Sequence, residues 1–394
     1  KPLPREREVY VRLPGGYPEY VKDEIRKLLG AGFRVDLLRL LKGGFGLAES
    51  PRLWYLEYKA TLKELGLWEL KLVPGMFRAF HPNGELRAVV CIHVDDTRYA
   101  GDSTAQELWD ELHKRLKFGA LRKATDGWQK FCGRWERQDP QTCEFYYSMN
   151  EYVKKNPEIS KGTIEFNGKV LTESIKKEIG SLLGQISCAG RQGRPDLMYG
   201  VSHCQQLAGL SDPEAIVWLK RLLQRARQSM EIKISQLGCG LDEVIVVSAS
   251  DAAFAAQPRQ GSQGGVTCLI GHPKILQQKA PTVILETQSV RINRVVRCSM
   301  SAELSMAATA FEHGDFTRAV MAELLDHQFS LQDWKWFSSK WKHYLVIDAK
   351  TGYDVLNDEG VTADRKIMID AAVLREAMTE LSCENYVRDR KSVV

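Results

Sequence analysis

Apolar residues occur along the chain in short runs and in amphipathic stretches, a pattern typical of sheets combined with helices. Residues 76–80 and 86–93 are two apolar runs joined by a segment that contains Asn83-Gly84, a strong turn signal. They predict a β-hairpin. Its second strand runs directly into the adjacent carboxylates Asp95 and Asp96.

The rest of the first part of the chain is predicted to alternate between helices and strands. A helix is expected at residues 50–65, with Ser50 as its N-cap and Pro51 at the first helical position, and another at residues 103–116, capped by Ser103. Further elements are expected at residues 9–13 (strand), 20–29 (helix), and 131–135 with 145–149 (a strand pair).

From residue 150 to about residue 237 the pattern becomes helical and basic, with the clearest helices at residues 173–183 and 212–230, and then strands return. Residues 243–251 form a buried-type strand that ends in Asp251, and residues 344–348 form another that ends in Asp348. A strand at residues 264–270 and helices at 299–319 and 365–381 complete this part. The change of pattern places a domain boundary near residue 236.

Composition is that of an ordinary globular protein: 394 residues, 44% hydrophobic and 27% charged. The nine cysteines include no C-x-x-C pair, which argues against a zinc ribbon or a disulfide framework. No long apolar run and no signal peptide core occur, so we expect an intracellular protein of the cytoplasm or nucleus without a membrane partner. The net charge of +5 is compatible with a polyanionic partner and equally with a mildly basic enzyme.

Asp95 and Asp96 follow an apolar strand, where carboxylates are costly to bury without a compensating positive charge. A divalent cation is one such charge, since two-metal phosphoryl transfer uses aspartates to hold a pair of Mg²⁺ ions. The alternative is a solvated turn, in which Asp is common.

Two segments decide between these alternatives. They are residues 41–55, which contain Gly46-Leu47-Ala48-Glu49-Ser50-Pro51-Arg52-Leu53-Trp54-Tyr55, and residues 93–102, which contain His93-Val94-Asp95-Asp96. They resemble the copia-type LTR-retrotransposon reverse transcriptases, in which a Y-G-L-K-Q-S-P-R-x-W-Y block precedes a Y-V-D-D hairpin by a few tens of residues. The resemblance implies that Asp95 and Asp96 are palm carboxylates that bind the metal ions. Residues 131–133 are similar to the family's primer-gripping strand, and residues 150–155 and 193–199 to its thumb and connection landmarks. For the last of these, a plain helix N-terminus is an equally good interpretation.

The resemblance continues into a ribonuclease H region. Residues 250–255 are similar to the family's S-D-A-D-W-A, residues 299–307 to S-S-T-E-A-E-Y-x-A, and residues 346–348 to the next strand. It implies that Asp251, Glu303 and Asp348 converge on a metal pair that cuts RNA in a hybrid. Taken singly, each of them could equally be a strand-end or surface carboxylate.

The fold expected from the resemblance is α+β: a reverse-transcriptase palm at residues 1–149 without fingers, a helical thumb and connection at 150–236, and a C-terminally truncated ribonuclease H-like α/β domain at 237–394. The family's first palm aspartate is expected before residue 1 and its fourth ribonuclease carboxylate after residue 394. Whether the chain is an enzyme therefore stays open, and we expect no primer extension from it alone. Glu49 replaces a glutamine and His93 a tyrosine, and Glu49 would repel a triphosphate.

The function implied is RNA-directed DNA polymerase with ribonuclease H, using Mg²⁺ or Mn²⁺. The partners implied are an RNA template, a DNA primer, an RNA/DNA hybrid, dNTP and other Pol segments. One alternative is an inactive retroelement remnant that at most binds nucleic acid, with Trp and Tyr side chains available for stacking on bases. Another is a nuclease in which only the second domain works.

Overall fold

The structure is a computed structural model that describes residues 10–12, 20, 23–24, 26–27, 37–39, 47–116, 118–348, 350–357, 365–381 and 383–387. The chain divides into two compact units, residues 1–119 and 120–394. The predicted strand at residues 9–13 is observed as β1 (Tyr10–Arg12), which pairs antiparallel with β2 (Leu37–Arg39). Parts of the predicted helix at 20–29 and of the motif at 41–55 lie outside the described residues.

The first unit contains a four-stranded antiparallel sheet of order β3-β4-β5-β6, covered by helices. Buried side chains of the helices and of the central strands form its core, among them Tyr58, Leu62, Phe77, Val90 and Trp109. The remaining elements of this unit are α1 (Ser50–Glu64), β3 (Trp68–Glu69), β4 (Met76–Phe80), β5 (Leu86–His93), β6 (Asp96–Gly101) and α2 (Gln106–Arg115). The predicted Asn-Gly hairpin is confirmed, since Gly84 has a φ of +89° in the turn between β4 and β5.

Both predicted helix caps in this unit are wrong by one residue. Glu49 occupies the N-cap position of α1 without a side-chain cap, and the helix already begins at Ser50. Asp102, and not Ser103, caps the short 3₁₀ turn before α2, because its carboxylate accepts the Thr104 N–H at 2.8 Å. An aspartate and a serine cap equally well, so spacing alone could not choose between these neighbours.

The second unit begins with a four-stranded sheet, of order β10-β9-β8-β7, and a helical module. The predicted strand pair of residues 131–135 with 145–149 is confirmed in part, because residues 135–138 pair antiparallel with residues 145–148. Cys132 and Gly133, however, adopt φ values of +49° and +87° and form a turn between two strands. The helices share one buried core that runs from Met149 to Ala226. The elements are β7 (Gln129–Phe131), β8 (Arg134–Gln138), β9 (Phe145–Ser148), α3 (Asn150–Lys154), α4 (Lys161–Ile164), α5 (Glu173–Gly193), α6 (Met198–Gly209), α7 (Glu214–Ala226) and β10 (Glu231–Ile234).

A mixed five-stranded sheet follows, of order β13-β12-β11-β14-β15. Its first two pairings are antiparallel, and β14 is parallel to both β11 and β15. The elements are β11 (Ile245–Gln257), β12 (Gly261–Gly271), β13 (Thr282–Arg291), α8 (Ser299–Leu325), α9 (Trp334–Ser338), β14 (His343–Ile347), α10 (Lys350–Asn357), α11 (Arg365–Glu380) and β15 (Cys383–Val387). The chain is therefore α+β with a mixed sheet in its last part, as predicted. Among the helices that the structure describes, none combines the length and apolarity needed to cross a bilayer.

A buried polar network fastens α8 to the strands of this sheet. Arg318 contacts Asp315 and donates to the carbonyls of Trp341 and Leu381. His343, at the start of β14, is fully buried, with Nε2 2.7 Å from Ser248 Oγ and Nδ1 3.5 Å from Asp315 Oδ1. Burial lowers the pKa of His343, so the neutral imidazole is the form that the folded state favours.

Arg194 joins the end of α5 to the end of α7. Its side chain is 2% exposed and uses all five of its N–H groups: two on the Asp196 carboxylate, at 2.9 and 3.0 Å, and three on the carbonyls of Arg225, Ala226 and Gln228. Carbonyls at a helix C-terminus lack intrahelical partners and attract cations. Arg194 therefore holds the turn that precedes α6 against the end of α7.

Replacing Arg194 with Met should lower the free energy of unfolding by about 3–5 kcal/mol, because it leaves buried carbonyls and the Asp196 carboxylate without their donor. Arg225 is the matched control: it also bonds Asp196, at 2.9 Å, but its side chain is 55% exposed. Arg225→Met should cost about 1 kcal/mol or less. Urea denaturation measures both, and equal losses would refute the structural role of Arg194.

Candidate metal site

Three of the predicted site residues lie on neighbouring elements of the mixed sheet and its covering helix. Asp251 is on β11, Asp348 directly follows β14, and Glu303 lies in the second turn of α8. The prediction that Asp251 ends its strand is wrong: β11 continues to Gln257, because β12 pairs with it through Ala253 and, after an irregularity, again at Gln257.

Parallel pairing of β11 with β14 explains why Asp251 and Asp348 are neighbours. Ser250 pairs with Ile347, so the two aspartates occupy the next position along adjacent strands. Helix α8 packs on the same strands and brings Glu303 to them. One carboxylate oxygen from each of the three residues lies within 4.8 Å of the other two. The structure thus brings together the trio that the sequence predicted.

The chemistry of this donor set fits a hard divalent cation. Three carboxylates this close repel one another unless a positive charge lies among them. Oxygen ligands are those that Mg²⁺ prefers, and carboxylates also suit Mn²⁺. Asp251 is exposed and Asp348 half-buried, while Glu303 is enclosed more deeply than Asp251. The site therefore opens to solvent on the Asp251 side.

Asp95 and Asp96 lie in a different setting, at the tip of the β5–β6 hairpin. His93 pairs with Asp96, which leaves Val94 and Asp95 as the turn between the two strands. All four residues are exposed. Within the described residues, no third His, Cys, Asp or Glu joins the two aspartates in a cluster like that of Asp251. The hairpin is confirmed, and the role of its carboxylates stays a prediction.

Val94 carries unusual backbone geometry for this hairpin. Its φ is +56°, in the left-handed region that β-branched residues rarely adopt. Such strain costs roughly 1–3 kcal/mol and is concentrated at functional turns. The sequence offered no sign of it, because a valine there reads simply as part of a strand.

Sequence reasoning missed a groove beside Asp251. The volume of this groove is about 330 Å³, and the groove is bounded on one side by the helical module and on the other by the sheet. Its lining includes Pro195, Met198, Tyr199, Thr267, Thr287 and Ser289. In the sequence, residues 193–199 resemble only a connection landmark, and nothing pairs them with Asp251, since more than fifty positions separate the two segments.

Comparison with known proteins gives one curated sequence relative and several structural neighbours. No family model matches the chain. A transposon Ty5-1 protein of Saccharomyces cerevisiae is 25% identical over 291 residues, an alignment that covers 68% of this chain and 86% of that protein. This relative supports the retroelement character inferred from the sequence.

Three solved structures are similar at low identity. The foamy viral protease-reverse transcriptase in complex with RNA/DNA hybrid is 12% identical, with a TM-score of 0.47, and the match covers 92% of this chain and 40% of that one. A ribonuclease H1 isolated from compost is 12% identical, covering 37% and 86%, with a TM-score of 0.26. Ribonuclease H1 of the archaeon Halobacterium salinarum is 13% identical, covering 37% and 87%, with a TM-score of 0.23.

Divalent cations should stabilise the second unit through the carboxylate trio. At a Mg²⁺ or Mn²⁺ concentration about 100 times Kd, ligand binding adds about 2.7 kcal/mol, which should raise Tm by about 5 °C or more. Asp251→Asn and Glu303→Gln should abolish this rise. Without metal they should leave Tm unchanged or raise it, because each removes repulsion from the cluster.

Thermal denaturation with and without the cation measures both effects. Glu312→Gln is the matched control, since Glu312 is exposed on the same helix as Glu303. An equal metal-induced rise in wild type and in all three variants would show that the trio does not bind the ion.

Proposed function

We propose that the chain is part of a copia-type LTR-retrotransposon Pol polyprotein and that its last part is a ribonuclease that cleaves the RNA strand of an RNA/DNA hybrid. The observation that carries this proposal is the meeting of Asp251, Glu303 and Asp348 within 4.8 Å. The transposon relative supports the retroelement assignment. We further propose Mg²⁺ or Mn²⁺ as the cofactor.

When bound, the cations would supply Lewis-acid activation of the attacking and leaving oxygens of the phosphodiester. The protein's own contribution is to fix three oxygen donors on rigid elements and to leave one side open. Asp251 is the exposed member and faces the incoming strand, whereas Glu303 and Asp348 hold the cluster from behind. Gly265 pairs with Asp251 across the sheet and carries no side chain, so the space next to that carboxylate stays open.

We propose domain limits at residues 1–149 (palm), 150–236 (thumb and connection) and 237–394 (ribonuclease H-like). Two separate buried cores support the second boundary: one runs from Met149 to Ala226, and another from Val266 to Leu381. The compact units divide earlier than the proposed first limit, after Gly119 and not after residue 149. The reason is that β9 pairs with β10, which joins residues 145–148 to the second unit.

Cleavage of a labelled RNA/DNA hybrid in Mg²⁺ or Mn²⁺ tests the ribonuclease. Asp251→Asn and Glu303→Gln should each lower the rate by at least about 100-fold, a loss typical of removing a group that stabilises transition-state charge. Glu312→Gln should cleave like wild type. If the first two variants cut as fast as wild type, or if the wild type binds the hybrid and never cuts it, the chain is the non-catalytic nucleic-acid-binding remnant instead.

The β5–β6 hairpin supports a second candidate function, RNA-directed DNA polymerase. The resemblance assigns two palm carboxylates to the tip of a hairpin, and Asp95 and Asp96 are exposed at such a tip beside the strained Val94. The partners would be an RNA template, a DNA primer, dNTP and other Pol segments. The competing interpretation is that the turn is only solvated.

Binding of Mn²⁺ in the presence of primer–template and dNTP separates these two interpretations. Electron paramagnetic resonance should show fewer bound Mn²⁺ ions in the Asp95→Asn and Asp96→Asn variants than in wild type, because each removes an oxygen ligand. Glu107→Gln changes an exposed carboxylate of the same unit and should bind as wild type does. Identical titrations for all four proteins would leave the hairpin as a solvated turn.

A further inference from the structure

The sheet face that carries Asp251 is rich in hydroxyl groups. Directly paired residues of adjacent strands lie on the same face. Asp251, Gly265 and Ser289 form one such row across β11, β12 and β13, and Ala249, Thr267 and Thr287 form the next. These two rows form the floor of the groove beside the carboxylate trio.

Helix α6 forms the wall of this groove because hydrogen bonds fasten it to the β11–β12 hairpin. Gln263 Oε1 accepts from Gln206 Nε2 at 3.1 Å, and Gln263 Nε2 donates to Ser202 Oγ at 3.1 Å and to Ser289 Oγ at 2.9 Å. His203 Nδ1 lies 2.6 Å from Gln257 Oε1. Gln257 and Gln263 are 5% and 4% exposed, so these bonds are shielded from water.

Tyr199 is the aromatic side chain of the wall. It lines the groove opposite Asp251 and is 46% exposed. Its ring stacks on His203 with centroids 5.9 Å apart and 13° between the planes, and His203 in turn packs edge-on against Trp218 at 4.6 Å. The aromatic ring is therefore held in place from behind while one part of it stays accessible.

The start of α6 is rigid for a second reason. Pro195 and Asp196 form the turn before Tyr199. Arg194 donates both to the Asp196 carboxylate and to carbonyls at the end of α7, and so joins that turn to α7. On α7, Lys220 and Arg221 are exposed, and the Arg221 guanidinium lies 5.8 Å from the Trp218 ring centroid. Positive charge thus lies on the helix that supports the aromatic stack.

We propose that this groove receives the RNA strand of an RNA/DNA hybrid and that Tyr199 positions the strand against the carboxylate trio. The inference rests on the proposed ribonuclease function and adds a substrate-positioning residue from the helical module. Neutral hydroxyls of Thr267, Thr287 and Ser289 suit sugar and phosphate oxygens, and an exposed ring suits a sugar or base face. A phosphodiester oxygen can share the cation that the three carboxylates hold.

Hybrid binding in an Asp251→Asn background tests the inference without cleavage. Stacking on one aromatic side chain corresponds to roughly a 5- to 100-fold change in affinity, so Tyr199→Ala should weaken binding of a labelled hybrid by that factor. Tyr199→Phe keeps the ring and should restore binding. Trp336→Ala removes an aromatic side chain that is 64% exposed and does not line the groove, and it should bind like the parent.

The same Tyr199 substitution in the active protein should shift or blur the positions at which the RNA is cut, since a positioning residue sets register. If Tyr199→Ala does not fold, Thr287→Val, which replaces a hydroxyl by a methyl group in the floor, should weaken hybrid binding by a few-fold. Equal weakening of duplex DNA and hybrid by Tyr199→Ala would overturn the assignment to RNA.

Two patterns of failure are distinct. In the first pattern, cleavage depends on Asp251 and Glu303, but Tyr199→Ala and Thr287→Val change neither the hybrid affinity nor the cut positions. This result overturns the proposed role of the groove and leaves the ribonuclease proposal intact. In the second pattern, the wild type does not cleave, and Tyr199→Ala loses hybrid affinity while Tyr199→Phe and Trp336→Ala keep it. This result supports the proposed role of the groove and overturns the ribonuclease proposal.

Discussion

Mutual repulsion among three carboxylates is the constraint around which the second unit is organised. Asp251, Glu303 and Asp348 would separate if the chain allowed it, and they stay within 4.8 Å because a strand, its parallel neighbour and a long helix each fix one of them. Holding like charges together costs free energy in the absence of a cation. That cost is offset by buried apolar contacts of α8 and β14 with the surrounding helices.

Buried polar groups then set the relative positions of those elements. His343 and Arg318 link the start of β14, the middle of α8 and the end of α11 through hydrogen bonds that no water reaches. Gly314 makes this packing feasible, because a Cβ there would collide with the His343 ring. Apolar packing alone tolerates sliding of a helix along a sheet, whereas directional bonds from buried donors do not.

The helical module is joined to the sheet in the same manner. Gln257 and Gln263 reach from the β11–β12 hairpin to α6, and Arg194 joins the turn before α6 to α7. A helix held by amide and guanidinium bonds presents Tyr199 to the groove in one orientation. Rigid support of this kind is what a substrate-positioning residue requires.

Local sequence patterns determined the elements and the chemistry that they carry. The Asn-Gly hairpin and the alternation of strands with helices follow from neighbours in the chain, because turn geometry and side-chain periodicity are local properties. The three acidic positions of the trio were implied by the family resemblance. Element ends were predicted less well: Asp102 rather than Ser103 provides the cap, and Cys132 and Gly133 form a turn inside the segment 131–135 that was expected to be one strand. Single-residue choices of this kind depend on contacts that spacing does not encode.

Tertiary structure supplies the contacts by which the three residues of the trio meet. Nothing in the spacing of Asp251, Glu303 and Asp348 requires them to be neighbours; the parallel pairing of β11 with β14 and the packing of α8 do so. The strain at Val94, the burial of Arg194 and the approach of Tyr199 to Asp251 likewise have no local signature. Each arises from contacts between segments far apart in the chain, which only the folded arrangement of the strands and helices brings together.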